Sequence, residues 1–256
     1  MRESTKEHWD NYWLAHKNAD ELYSNEERIV TQLVSCCQIE GAQILEVGAG
    51  SGRDSVSLVK AGGRVFVLDY VESSLSVVKE MARAEGVDVQ LVCADATNMP
   101  FRDGTFDVLF HQGLMEHFRD PSPLIEENRR ILRKDGAILV DVPQRYHVYT
   151  AAKHILILLG RWFAGWETEY TISSLERLMA SHGFRHVCSY GDWMVPGFFY
   201  RSLRYVLRKF GVALLPKYPA RVPIAGSVAG RFREWFRKKR AAYYTFAVIG
   251  VVGRKE

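Results

Sequence analysis

From Gln43 to Val142 the chain alternates short β-branched runs with amphipathic stretches, and no other feature limits its fold so strongly. The runs Gln43–Val47, Arg64–Asp69, Val87–Val92, Phe106–Phe110 and Ala137–Val142 read as strands, while Asp54–Lys60, Glu72–Glu85 and Pro123–Lys134 read as helices. Several strands are apolar on both faces, as in a parallel sheet covered on both sides. Right-handed crossovers then make a doubly wound α/β sheet the expected topology. Beyond Val142 the spacing predicts a helix over Ala151–Phe163 and another over Ser173–Ser181, with Ser173 or Thr171 as N-cap and Gly183 as its stop. Phe184–Tyr190 and Tyr243–Gly250 read as two more strands, giving seven in all.

The charge is local. The 256 residues carry 34 Lys and Arg against 30 Asp and Glu, yet Met194–Arg240 holds twelve basic residues and one acid, Glu234, a net +11 against −7 elsewhere. Within it Phe199, Leu203, Val206, Leu207, Phe210 and Leu214 fall at helical spacing, with Arg201, Arg204 and Arg208 on the other side. An apolar stripe backed by cations suits an anionic membrane surface. Phe232, Trp235 and Phe236, set among Arg and Lys, repeat that character, and Ile155–Trp166 adds a lid-like apolar segment. The same helices could instead pack on the body or on one another in an oligomer, with the arginines solvated. A third reading is RNA, though its stacking grooves favour isolated aromatics over a continuous stripe.

Four cysteines without a C-x-x-C pair suggest neither a disulfide framework nor a metal site, and no metal is expected. The charged stretch Met1–Asp20 has no apolar core of the signal-peptide kind. The longest apolar run, Ile155–Gly160, falls short of the roughly 20 residues a spanning helix needs. The expected location is cytoplasmic, peripheral to the inner face of a membrane.

Ile44 to Gly52 reads I-L-E-V-G-A-G-S-G and runs from the first strand into a helix. Glycines there let the backbone turn tightly and approach a ligand, with helix N–H groups pointing at its polar end. A nucleotide cofactor is the natural occupant. A dinucleotide fingerprint would need a small residue where Arg53 stands, and the Gly-Lys-Ser/Thr ending of a phosphate-binding loop is absent, so the cofactor should lack a pyrophosphate. Asp69 closes the second strand, where a carboxylate can accept from ribose hydroxyls. Asp95 follows the third strand and is placed to accept from an adenine amino group. Each acid alone could equally be a turn residue.

Over Gln43–Val142 and again in the last two strands, these features together resemble the class I S-adenosylmethionine-dependent methyltransferases, in the branch acting on small molecules, lipids and quinones. Phe106–Phe110 followed by Leu114-Met115-Glu116-His117-Phe118 looks like that branch's fourth-strand region. The resemblance implies a Rossmann-like methyltransferase fold binding S-adenosyl-L-methionine. It implies Glu46, Gly48, Gly50 and Gly52 at the methionine end, Asp69 at the ribose and Asp95 with Ala96 at the adenine. Ala49, Tyr70, His111 and Gln112 complete the expected contacts on this side, and Tyr12, in Trp9-Asp10-Asn11-Tyr12-Trp13, is the expected aromatic cover.

Transfer from a sulfonium chiefly requires alignment, and a base only where the acceptor holds its proton. His111 could take that proton or simply pack; Tyr146 and His147 are candidate acceptor contacts, and His117 reads as structural. The expected organisation is a cofactor cover over 1–42, a core over 43–142, a lid and acceptor insertion over 143–170, a core helix and strand over 171–193, a basic insertion over 194–242 and a last strand over 243–256. The expected activity is methyl transfer to a hydrophobic small-molecule or lipid-like acceptor. An RNA-modifying enzyme and a non-catalytic interaction protein on the same fold remain alternatives.

Overall fold

A computed structural model describes residues 5–15, 27–159, 162, 167–194, 196–212, 214–219, 230–231 and 233–256. Its sheet has seven strands in the order β3-β2-β1-β4-β5-β7-β6: β1 Gln43–Val47, β2 Arg64–Asp69, β3 Gln90–Cys93, β4 Phe106–Gln112, β5 Leu132–Pro143, β6 Phe184–Asp192 and β7 Val248–Lys255. The first five are parallel, and β7 runs antiparallel between β5 and β6. The reversal of strand order between β1 and β4 creates a crevice at their carboxyl ends, where open α/β sheets bind ligands.

Helices cover both faces: α1 Lys6–Ala15, α2 Arg28–Cys36, α3 Arg53–Lys60, α4 Glu72–Ala84, α5 Ser122–Ile131, α6 Val148–Leu158, α7 Ile172–Ser181 and α8 Phe198–Lys209. Alternation along the strands builds two cores. Leu45, Leu109, Ile138 and Val140 face Leu124, Ile125 and Leu175 on one side. Ile44, Val67, Phe110 and Leu139 face Ile29, Leu33 and Leu58 on the other. The second layer contains a buried ion pair: Arg28 on α2 donates to both oxygens of Asp141 on β5, at 3.0 and 2.8 Å, and Tyr190 Oη on β6 donates to the same carboxylate at 2.9 Å. α7 begins as a capping box, with Thr171 and Ser174 satisfying each other's backbone N–H groups.

Several boundaries depart from the sequence expectation, among them β3, which starts at Gln90 instead of Val87. β5 starts at Leu132, so the predicted extension of the preceding helix to Lys134 is strand, with Asp135 in the left-handed region at φ 60°. β7 starts at Val248 instead of Tyr243, because Arg240–Tyr244 coils into a 3-10 turn whose Tyr243 hydroxyl is tied to Ser189 O. The helix expected over Ala151–Phe163 forms earlier, as α6, with His147 as its cap. Phe163, Trp166, Arg221 and Phe232 lie outside the described residues.

Candidate functional site

The loop after β1 is held from below. Gly48 N–H donates to Leu68 O at 2.8 Å, and Ala49 N–H donates to Asp69 Oδ2 at 3.0 Å, which ties the turn to the end of β2. Gly48, Gly50 and Gly52 all have positive φ, at 77°, 49° and 71°, a path side-chain-bearing residues rarely take. Over this turn lies a cavity of about 380 Å³. Its floor is Gly48, Gly50, Leu68, Asp69 and Tyr70, one flank is Ala94, Asp95 and Ala96, the other is Gln112 to Leu114 with His117 and Phe118, and Trp9 and Trp13 of α1 form its cover.

Asp69 is buried at this floor. Its Oδ2 also takes Ser74 Oγ at 3.0 Å and its Oδ1 takes Val71 N–H at 2.9 Å. Burial raises its pKa against these donors. With the Tyr70 backbone N–H as a fourth donor, it is first a clamp between β2 and the glycine turn. Asp95 uses Oδ1 for Thr97 N–H and Oγ1, both at 2.8 Å, so it serves the turn while also lining the cavity. Burial and then the two acids push the Tyr70 phenol up to about 12.

Several residues expected at the cofactor are elsewhere. Glu46 is buried beneath the loop, accepts from Ser55 Oγ, and is held well above the usual carboxylate range by burial and by Asp54. Ala49 and Gly52 likewise shape the turn without lining the cavity, and a Cβ at Gly52 would lie 2.7 Å from Val78 Cγ1. Tyr12 is displaced from the cover by Trp9 and Trp13, against whose edges it packs at 5.7 and 5.3 Å. A spacing of four residues puts the two indoles on one helix face, a signal present in the sequence.

His111 is fully buried on the face of β4 that carries Leu109, beside Val140, and neither ring nitrogen has a hydrogen bond. Burial pulls its pKa down to about 4, so it is neutral and turned from the cavity, which corrects both roles expected of it. Its neighbour Gln112, on the opposite face, does line the cavity. Tyr146 is largely exposed and tilted against Tyr244, and His147 caps α6 by accepting Tyr149 N–H at 3.2 Å through Nδ1; neither lines the cavity. His117 does, with Trp9 edge-on at 5.0 Å.

Behind that wall Glu116 is buried, its carbonyl taking Thr168 N–H at 2.6 Å and its carboxyl pushed up to about 8 by burial. Among the described residues no three His, Cys, Asp or Glu side chains gather as a metal site.

An open hollow with a positive-φ glycine turn, one acid with an uncommitted oxygen and an indole cover fits an adenosyl sulfonium compound: acceptors for the nucleoside's hydroxyl and amino donors, aromatic faces for its cation. Arg53, first residue of α3, still denies a pyrophosphate the small third position.

Residues 45–140 match a family model described as a methyltransferase domain. The chain is 33% identical over 103 residues to a demethylmenaquinone methyltransferase of Clavibacter sepedonicus, covering 40% of this chain and 41% of that protein. It is 24% identical over 151 residues to a ubiquinone biosynthesis O-methyltransferase of Parvibaculum lavamentivorans, covering 57% and 60%. The chain thus spans about half the length of the curated relatives it matches. Among solved structures the [4+2]-cyclase SpnF superposes with a TM-score of 0.61 at 17% identity, over 91% of this chain and 85% of that one, a likeness of fold alone.

Proposed function

The chain belongs to the class I S-adenosylmethionine-dependent methyltransferases, and on that footing we propose that it transfers a methyl group to a hydrophobic small-molecule or lipid-like acceptor at a membrane surface. S-adenosylmethionine, when bound, supplies an electrophilic methyl on a sulfonium. The remaining work falls to the chain. The Gly48–Gly50 turn and Asp69 hold one end of the cavity and Asp95 receives donors at the other. Trp9 and Trp13 exclude water, and an indole face toward a cation contributes on the order of 1 kcal/mol. His117 is the imidazole on the cavity wall, so the proton-accepting role first read for His111 passes to it, for acceptors that hold their proton. Alignment within about 3–3.5 Å does the rest.

The observation that carries this reading is the open cavity whose walls join the glycine turn, both acids and two indoles. The quinone chemistry named for both relatives supports an apolar acceptor. The test is incubation of the protein with methyl-labelled S-adenosylmethionine and a total lipid and metabolite extract, followed by mass spectrometry. A labelled, organic-extractable product that disappears with Asp95→Ala is expected. Cofactor binding with no labelled product would favour a non-methylating use of the fold.

A further inference from the structure

Two helices of this protein leave an apolar strip uncovered. Phe199, Leu203 and Val206 of α8, with Phe210 capping its end, recur at helical spacing and form one apolar strip, which normally faces a core. Here they are 72, 53, 48 and 78% exposed, and the helix has no buried residue. Away from this strip, side chains are tied to the flanking chain: Arg201 Nε donates to Pro196 O at 2.7 Å, Arg204 Nε to Leu215 O at 3.2 Å, and Tyr200 Oη to Pro216 O at 2.8 Å. These bonds satisfy carbonyls of the chain just before and just after the helix.

In α6 the side turned inward is polar. Its buried side chains are Thr150 and Lys153, and Lys153 Nζ is paired with Glu167 at 3.1 Å and Glu169 at 3.4 Å. Ile155, Leu158 and Leu159 point away at 58, 87 and 61% exposure. Tyr149 of α6 and Phe198 of α8 meet edge to face at 5.9 Å, so the helices adjoin.

We propose that the outer strips of α6 and α8 form one docking face for a bilayer containing anionic lipid, with Phe199, Leu203, Phe210 and Leu158 entering the acyl boundary. Lys209, exposed at the flank of the α8 strip, would meet the headgroups. Among the described residues no helix is long and apolar enough to cross a membrane, so these helices lie on the surface. A second copy of the chain fits less well. A two-fold contact would set the +11 segment Met194–Arg240 against itself, whereas an anionic surface complements it. The inference rests on the proposed function only for the acceptor's route, since an acceptor held in the same leaflet would reach the cavity without crossing water.

Vesicle flotation tests it, with the full chain and either phosphatidylcholine alone or an equal mixture with phosphatidylglycerol. The mixed vesicles should carry the wild type upward, less so as salt rises. Lys209→Gln should weaken partitioning about fivefold, and Phe199→Ser with Leu203→Ser and Phe210→Ser should abolish it. Unchanged melting and S-adenosylmethionine titration would show that each variant is folded. Vesicle capture needs no methyl transfer, so its failure leaves the cofactor reading standing, and failed titration leaves the docking face standing. Wild type that stays unbound, or a serine variant that floats like wild type, overturns the proposal. So does a dimer in sedimentation velocity, or RNA retention, lost with the same serine variant when vesicles do not bind.

Discussion

Alanine at Gly50 and alanine at Gly52 should fail in opposite ways, although the residues are two apart in one turn. Both hold positive φ, which costs an L side chain about 1–2 kcal/mol. At Gly52 the new Cβ also lies 2.7 Å from Val78 Cγ1 in the packed second core, and overpacking adds about 1–3 kcal/mol. The sum for Gly52→Ala is about 3 kcal/mol, a fall in Tm of roughly 10 °C for a chain of this size. At Gly50 no atom lies within 4 Å of the new methyl, which adjoins the cavity that the residue lines. Gly50→Ala should therefore lower Tm by only about 3–5 °C. Because its methyl takes space that the cofactor would use, affinity for S-adenosylmethionine should drop at least tenfold, or about 1.4 kcal/mol. Calorimetric melting and titration of both variants make the test. The reasoning is refuted if Gly50→Ala binds like wild type, or if Gly52→Ala melts no lower than Gly50→Ala.

Removing one side of the buried Arg28–Asp141 pair with Asp141→Asn should cost about 3–5 kcal/mol in denaturant unfolding, since the guanidinium is left buried without its counter-charge. Glu116 gives a pH dependence. Its folded pKa is raised from 4.5 to about 8, so the folded state keeps a proton the unfolded state has lost, and its contribution is present below pH 4.5 and declines toward pH 8. Glu116→Gln should therefore flatten the loss of stability across that window, measured as Tm against pH, by on the order of a few kcal/mol. His111→Leu removes two unbonded ring nitrogens from the core and should leave stability equal or higher, with cofactor affinity within about twofold of wild type. A large loss of affinity would return His111 to the site.

The glycine turn and the two acids around the hollow were legible because their places are fixed by backbone demands. A strand that must turn into a helix over a ligand needs glycines where they stand, and acids at strand ends in a parallel sheet can only sit near the same edge. What escaped depends on rotation about an element's own axis. The sequence shows that α1 is aromatic, but its docking against α4, with Ser73 Oγ donating to Asp10 O, decides that Trp9 and Trp13, not Tyr12, face the cavity. Likewise β4 offers His111 and Gln112 to opposite faces, and only the assembled sheet shows which face opens on the hollow. For α8 the stripe was plain in the sequence, but spacing alone left open whether it packs on the body or faces out, and only the structure shows it uncovered.

Calorimetric titration of the purified chain with S-adenosylmethionine, S-adenosylhomocysteine and a nicotinamide dinucleotide would settle what the hollow above Gly48 is for. Saturable one-to-one binding of the first two is expected, weakened by Asp95→Ala, with no heat from the dinucleotide. Silence from both adenosyl compounds, or binding of the dinucleotide instead, would contradict it.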